Sequence, residues 1–143
     1  EGMPLLRYRT KDLTSLNCER CECGRGFVRM SRIMGRRDDM LIIRGVNVFP
    51  TQIESVILEL DEFEPHYQLI VDRVNNTDTM ELRVEVNSDF YSDEINKMIN
   101  LRNKLKARLH SVLGLGVDVK IVEPRSIERS TGKAKRIIDN RKL

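Results

Sequence analysis

Long apolar runs, aromatic residues and cysteines are all scarce in this sequence, and each scarcity removes a class of function. No apolar stretch approaches the roughly 18–20 residues needed to span a bilayer. The opening Glu1-Gly2-Met3-Pro4 has no basic segment leading into a hydrophobic one. The expectation is no membrane partner and a cytoplasmic location. Aromatic residues make up 5% of the chain, and none interleave with the basic tail from Arg125 to Lys142, so stacking platforms for nucleic-acid bases are lacking. The cysteines number three, all within Cys18, Cys21 and Cys23. Their odd count argues against a secreted disulfide framework and for a reducing compartment. A P-loop is missing too: Ser130-Thr131-Gly132-Lys133 looks like the end of one, but position 127, where the upstream glycine is required, is Ile.

What is present describes a folded protein. A hydrophobic fraction of 40% with 33% charged residues supplies enough apolar surface to offset the entropy of ordering, so a real core is expected. The 143 residues suit one ordinary domain, or a domain of about 100 residues plus a leading segment. The formal charge of +3 comes from 25 basic and 22 acidic residues interspersed along most of the chain, the pattern of solvated faces. The tail from Arg125 to Lys142 is the exception, and its excess of bases suits an anionic small molecule or a phosphate backbone. The first residue is Glu, and a well-formed motif begins only seven residues later, so the expectation is an N-terminus cut from a longer chain.

Residues 1–37 bury little by pattern and are expected to belong to a larger domain. Regular periodicity begins at Asp38. Met40-Leu41-Ile42-Ile43, the turn signal Arg44-Gly45-Val46-Asn47 and Val48-Phe49 read as a hairpin. Pro50 suits an early helix position, and Ile53, Val56, Ile57 and Leu60 share one helical face. Tyr67, Leu69 and Val71 alternate, as do Met80, Leu82, Val84 and Val86, giving two paired strands around a turn made from Asn75, Asn76 and Asp78. Ser92 as N-cap and Gly114 as C-terminal stop bracket a second helix with an apolar stripe of Met98, Leu101, Leu105, Leu109 and Val112. Val117, Val119 and Ile121 alternate as a last strand before Pro124. The expected fold class is α+β, a small mixed or antiparallel sheet with two helices on one face, and the tail from Arg125 has no clean period.

Three segments place polar groups beside glycine or a tight turn, as backbone close to a nucleotide requires. In Tyr8-Arg9-Thr10-Lys11-Asp12 the carboxylate can accept hydrogen bonds from vicinal hydroxyls; alone, the motif is weak and its ordinary reading is a solvated strand end. In Gly35-Arg36-Arg37-Asp38-Asp39 the guanidinium of Arg36 suits ribose or phosphate oxygens, against a surface ion-pair cluster of little energetic weight. In Gly132-Lys133 a lysine after glycine can bring an ammonium to an anionic centre.

In this order the three segments resemble the adenylate-forming superfamily of acyl-CoA ligases, and the run from Arg36 to Pro50 resembles its phenylacetate–CoA ligase branch. The resemblance covers nearly the whole chain. It implies that Asp12 binds the ribose hydroxyls of ATP or AMP, Arg36 contacts the nucleotide, Asp38 is the hinge between domains, Lys133 is the adenylation lysine and Gly45 lines the CoA path. It further implies a boundary, with 1–37 the end of a large ATP- and substrate-binding domain and 38–143 a mobile lid. The substrates would be an aryl or acyl carboxylic acid, ATP with Mg2+, and CoA; the missing large domain would be a partner, and a homodimer is left open. One departure stands out: Lys11 occupies the position where glycine is common across the superfamily.

Cys18, Cys21 and Cys23 could supply three thiolates to zinc, with a fourth ligand from elsewhere or from His66 or His110; three reduced cysteines in a turn are the other reading. Two alternative functions stand beside ligation: a metabolite-sensing regulatory domain over 39–143, and a basic RNA-binding domain using the tail. Neither has a use for Arg36-Arg37-Asp38-Asp39 ahead of the hairpin.

Overall fold

The computed structural model describes residues 2, 6–91, 94–129 and 136–141. Its core is a four-stranded mixed sheet in the order β10-β7-β8-β9, formed by β7 (Phe63–Val74), β8 (Thr77–Val86), β9 (Asp118–Val122) and β10 (Ile137–Asp139). Strands β7 and β8 are antiparallel, whereas β9 runs parallel to β8 and β10 parallel to β7. Two helices, α1 (Pro50–Leu58) and α2 (Ile95–Leu113), share one core with the sheet. Ile53, Val56 and Ile57 from α1 and Leu105, Leu109 and Leu113 from α2 are buried against Leu69, Val71, Leu82, Val84 and Val119.

Local chemistry explains the element ends. Arg44 and Gly45 both have positive φ, 50° and 79°, the two-residue turn whose twist matches flanking antiparallel strands. It joins β5 (Leu41–Ile43) to β6 (Val46–Val48). Asn75 and Asn76, at φ 49° and 61°, make the same kind of turn between β7 and β8. Pro50 opens α1, and Gln52 Oε1 accepts the Phe49 N–H at 3.0 Å. Gly114 closes α2 at φ 71°, its N–H donating to the His110 carbonyl at 2.9 Å.

Four expectations need correction. The tail contributes a strand, β10, that its lack of period hid. Asp78 is not a turn residue; it sits within β8 and is buried. Helix α2 starts at Ile95 with Glu94 as its N-cap, and Ser92, expected there, lies outside the described residues. In its last turn Leu113 is buried while Val112 is 38% exposed.

The leading segment is an extended arm folded back on itself. Here β1 (Asp12–Leu13) pairs with β4 (Gly35–Arg36), and β2 (Leu16–Asn17) with β3 (Arg29–Met30), both antiparallel. Its apolar residues, among them Leu6, Tyr8, Leu16, Phe27 and Met34, are exposed. A single 3-10 turn, Arg37–Asp39, leads from the arm into the β5/β6 hairpin. The arm touches the helical layer where Thr51 Oγ1 donates to the Met34 carbonyl at 2.9 Å.

Candidate functional site

Antiparallel pairing of β1 with β4 sets Asp12 directly opposite Arg36, so two candidates that are 24 positions apart by number become neighbours in space. Arg36 Nε stands 3.8 Å from Asp12 Oδ1. That nitrogen is buried and has no hydrogen-bond partner among the described residues, and a buried donor left unsatisfied is costly. The other arm of the guanidinium, Nη2, donates to Asp38 Oδ2 at 3.1 Å. Asp38, in the 3-10 turn, also accepts from Lys11 Nζ at 3.3 Å. Burial raises the Asp38 carboxyl, but its own N–H, Lys11 and Arg36 outweigh that and hold it below the usual aspartate range. The fold thus gathers Lys11, Asp12, Arg36 and Asp38 at the junction of arm and hairpin.

Beside them lies a cleft of about 230 Å³ lined by Asp12, Ile33, Gly35, Arg36, Phe49 and Thr51 among others. Gly35 is buried there. A Cβ at this position would stand 3.2 Å from Thr51 Oγ1 and 3.4 Å from Phe49 Cδ1, so glycine permits the close approach of arm and helix.

Lys11 explains how the chain tolerates its departure from the expected glycine. Its φ is 64°, the left-handed region in which glycine is at home and other residues are strained. The backbone therefore keeps the shape that glycine would give, and the Lys11 carbonyl accepts the Arg37 N–H at 2.8 Å. The added side chain is what reaches Asp38.

Gly45 sits apart from this group, at the exposed tip of the β5/β6 hairpin, and apart from its chain neighbours no described residue comes within 4 Å of where its Cβ would be. The hairpin is fixed by residues that periodicity did not single out. Arg141, whose side chain is only 8% exposed, donates to the Ile42 carbonyl at 2.7 Å and to Asp78 Oδ2 at 3.1 Å. Arg44 Nη2 donates to the Gly116 carbonyl at 3.0 Å. Arg73 first, then the Arg44 N–H and Arg141, hold the Asp78 carboxyl below the usual range against the opposing effect of burial. Lys133 lies outside the described residues.

Cys21 and Cys23 place their sulfurs 3.1 Å apart, and all three cysteines are free. Among the described residues no group of three or more His, Cys, Asp or Glu is arranged to hold a metal ion. Two thiols are half the ligand set of a structural zinc, so the expected triad is not assembled and neither His66 nor His110 completes it.

Residues 45–141 match the family described as AMP-binding enzyme C-terminal domain. The chain belongs to that family. It is 45% identical to phenylacetate-coenzyme A ligase of Thermus thermophilus, with 99% of this chain and 35% of the relative covered. Against phenylacetate-coenzyme A ligase of Escherichia coli it is 43% identical, over 100% of this chain and 32% of the relative. The chain therefore spans about a third of the length of these relatives. Among solved structures it resembles 2-hydroxyisobutyryl-CoA ligase in the postadenylation state, with a TM-score of 0.80, 32% identity, and 92% of this chain and 28% of that one covered. With the same ligase in its thioesterification state the TM-score is 0.67, at 31% identity, covering 91% of this chain and 27% of that one.

Proposed function

We propose that this chain is the C-terminal part of an AMP-forming acid–thiol ligase of phenylacetate–CoA ligase type. The observation that carries the reading is the near-complete match of the chain to such ligases, arm and lid alike. In the first step a carboxylate, aryl or acyl, attacks the α-phosphate of magnesium-ATP to give acyl-AMP and pyrophosphate. In the second the CoA thiol attacks the acyl carbon, AMP leaves, and a thioester forms. The acid pocket and phosphate loop belong to a large preceding domain, so this chain alone does not catalyse the reaction.

The geometry suits this chemistry. Asp12 faces Arg36 across 3.8 Å, a separation that leaves its oxygens able to accept from ribose hydroxyls. The guanidinium of Arg36, whose side chain is 43% exposed, offers donors to the nucleotide. Asp38 lies in the turn that connects arm and lid, where a hinge would act, so residues 1–37 and 38–143 are read as two bodies. The greater likeness to a postadenylation state than to a thioesterification state supports an arrangement suited to the first step. A moving lid serves the sequence of steps, since adenylate formation needs a cation at the phosphate and thiol attack needs an open channel, which Gly45 would line.

The test is Asp12→Ala in the full-length protein. Loss of charged hydrogen bonds of about 1.5–3 kcal/mol corresponds to a rise of roughly tenfold to a hundredfold in KM for ATP, measured by ATP–pyrophosphate exchange. An unchanged KM would show that Asp12 does not hold the ribose.

A further inference from the structure

Asp78 and Glu85 are the buried carboxylates among the described residues. Glu85 serves its own neighbourhood: the Arg125 and Ile127 N–H groups and Arg129 meet it where the segment after β9 covers it. Asp78 instead joins three separate parts of the chain. Its Oδ1 accepts from Arg73 Nε of β7 at 2.8 Å and its Oδ2 from Arg141 Nη1 at 3.1 Å, and the Arg44 N–H of the hairpin turn also donates to it. Arg141 is in turn gripped by Asp139 of β10, with Nε 2.9 Å from Oδ1 and Nη2 2.7 Å from Oδ2. A two-pronged grip of this kind fixes the plane of the guanidinium. It leaves Nη1 to donate to the Ile42 carbonyl of β5 as well as to Asp78.

The hairpin needs this hold. Among the described residues β5 and β6 pair only with each other, so no strand ladder ties them to the four-stranded sheet. Ile43 and Val48 seat the hairpin in the core, but apolar burial is non-directional and does not set where the turn at Arg44-Gly45 points. Hydrogen bonds do, because they weaken steeply away from their preferred angle. Arg141 takes the Ile42 carbonyl and Asp78 takes the Arg44 N–H, so the pair grips both residues that flank Ile43, in the strand leading into the turn. Arg44 Nη2 adds a separate tie, to the Gly116 carbonyl at 3.0 Å. A buried ion pair contributes little net stability over apolar residues of similar volume; what it supplies here is direction.

We propose that Asp78 and Arg141 are positioning residues for the thiol-transfer step: together they fix the β5/β6 turn, and with it the wall that Gly45 presents to the CoA thiol. The inference rests on the proposed place of Gly45 on the CoA path. Neither side chain touches CoA in this role; both act through the backbone of Ile42 and Arg44. A misplacement of about 1 Å at a distance from the chemistry can cost about a hundredfold in rate. A turn released on one side while Arg44 still holds Gly116 should move less, so a loss of roughly tenfold is expected.

The experiment compares half-reactions in the full-length protein. Arg141→Lys keeps the charge, but an ammonium lacks the planar fork that lets Arg141 hold Asp139, Asp78 and the Ile42 carbonyl together. Expected is a roughly tenfold loss of thioester formation from supplied acyl-AMP, with ATP–pyrophosphate exchange within twofold of the parent. Deuterium uptake over Leu41–Val48 should quicken in the same variant, which reads the loosened turn without reference to activity. Asp78→Asn should give a smaller loss with the same selectivity, and it serves if the first variant does not fold. Val71→Ala, at a buried position of β7, controls for general destabilisation and should leave the ratio of half-reactions unchanged. Equal losses in both half-reactions, unchanged uptake over the hairpin, or the same selectivity from Val71→Ala would overturn the proposal. Gly45→Asn separates the two layers. If it leaves thioester formation intact, the role of Gly45 is wrong and this inference falls with it; if it impairs thioester formation while Arg141→Lys and Asp78→Asn do not, the inference alone is wrong.

Discussion

Replacing Gly45 by alanine and, separately, by asparagine divides two roles that one variant would confound. Gly45 holds φ at 79°, and a Cβ there meets no described residue within 4 Å beyond its chain neighbours. Alanine therefore introduces no clash, and its cost is the left-handed backbone alone, about 1–2 kcal/mol. With a urea dependence near 2 kcal/mol per molar, the unfolding midpoint should fall by about 0.5–1 M. Asparagine enters the left-handed region more readily, so its midpoint should fall less although its side chain is larger. If Gly45 lines the CoA path, thioester formation follows size: asparagine lowers it on the order of tenfold and alanine less, while pyrophosphate exchange stays near the parent rate in both. The assay pairs urea titration with thioester formation from preformed acyl-AMP. A loss that follows stability, worse for alanine than for asparagine, would assign the glycine to the turn and remove it from the thiol path.

Acid should destabilise the fold and alkali up to pH 8 should not. Asp139, held down chiefly by Arg141, Glu62, held down chiefly by Lys104, and Glu85 all have carboxyls below their usual range when folded. The unfolded chain then binds more protons near pH 4, so their contribution is complete above the unfolded value of about 4.3 for glutamate and is lost as pH falls through the folded values. Melting temperature should be level from pH 5.5 to 8 and drop below about pH 4; a maximum in acid would contradict the ion pairs described. Cys23 should react faster with iodoacetamide than an ordinary exposed cysteine, because the Arg25 N–H first and the Cys21 thiol second lower its pKa. Cys21→Ser should slow that labelling, and an unchanged rate would remove the thiol pair from the explanation.

Much of the fold was legible because its signals are local. Arg44-Gly45 and Asn75-Asn76 carry turns that need positive φ, Pro50 opens α1, and Gly114 closes α2; each is a backbone constraint written in one or two residues. Strand β10 was not legible, since Ile137–Asp139 is too short to show a period and exists through pairing with β7, far away in sequence. The same reason hid Asp78, whose burial depends on Arg73 and Arg141, and Glu85, whose alternation predicts solvent until residues 125–129 cover it. In the site, pairing of β1 with β4 brings Asp12 and Arg36 together and the turn adds Asp38, whereas nothing in the motif order showed that Lys11 would reach Asp38. The cysteine spacing pointed to three ligands, but spacing does not fix direction, and only Cys21 and Cys23 meet.

Lys133→Ala in the full-length protein tests the division of labour between the two half-reactions most directly. ATP–pyrophosphate exchange reads the first step, and thioester formation from supplied acyl-AMP reads the second. Removing a cation that acts only at the forming adenylate should slow exchange by about a hundredfold or more and leave thioester formation at the parent rate. Equal losses in both would contradict the account and make the segment from Arg125 onward a structural support.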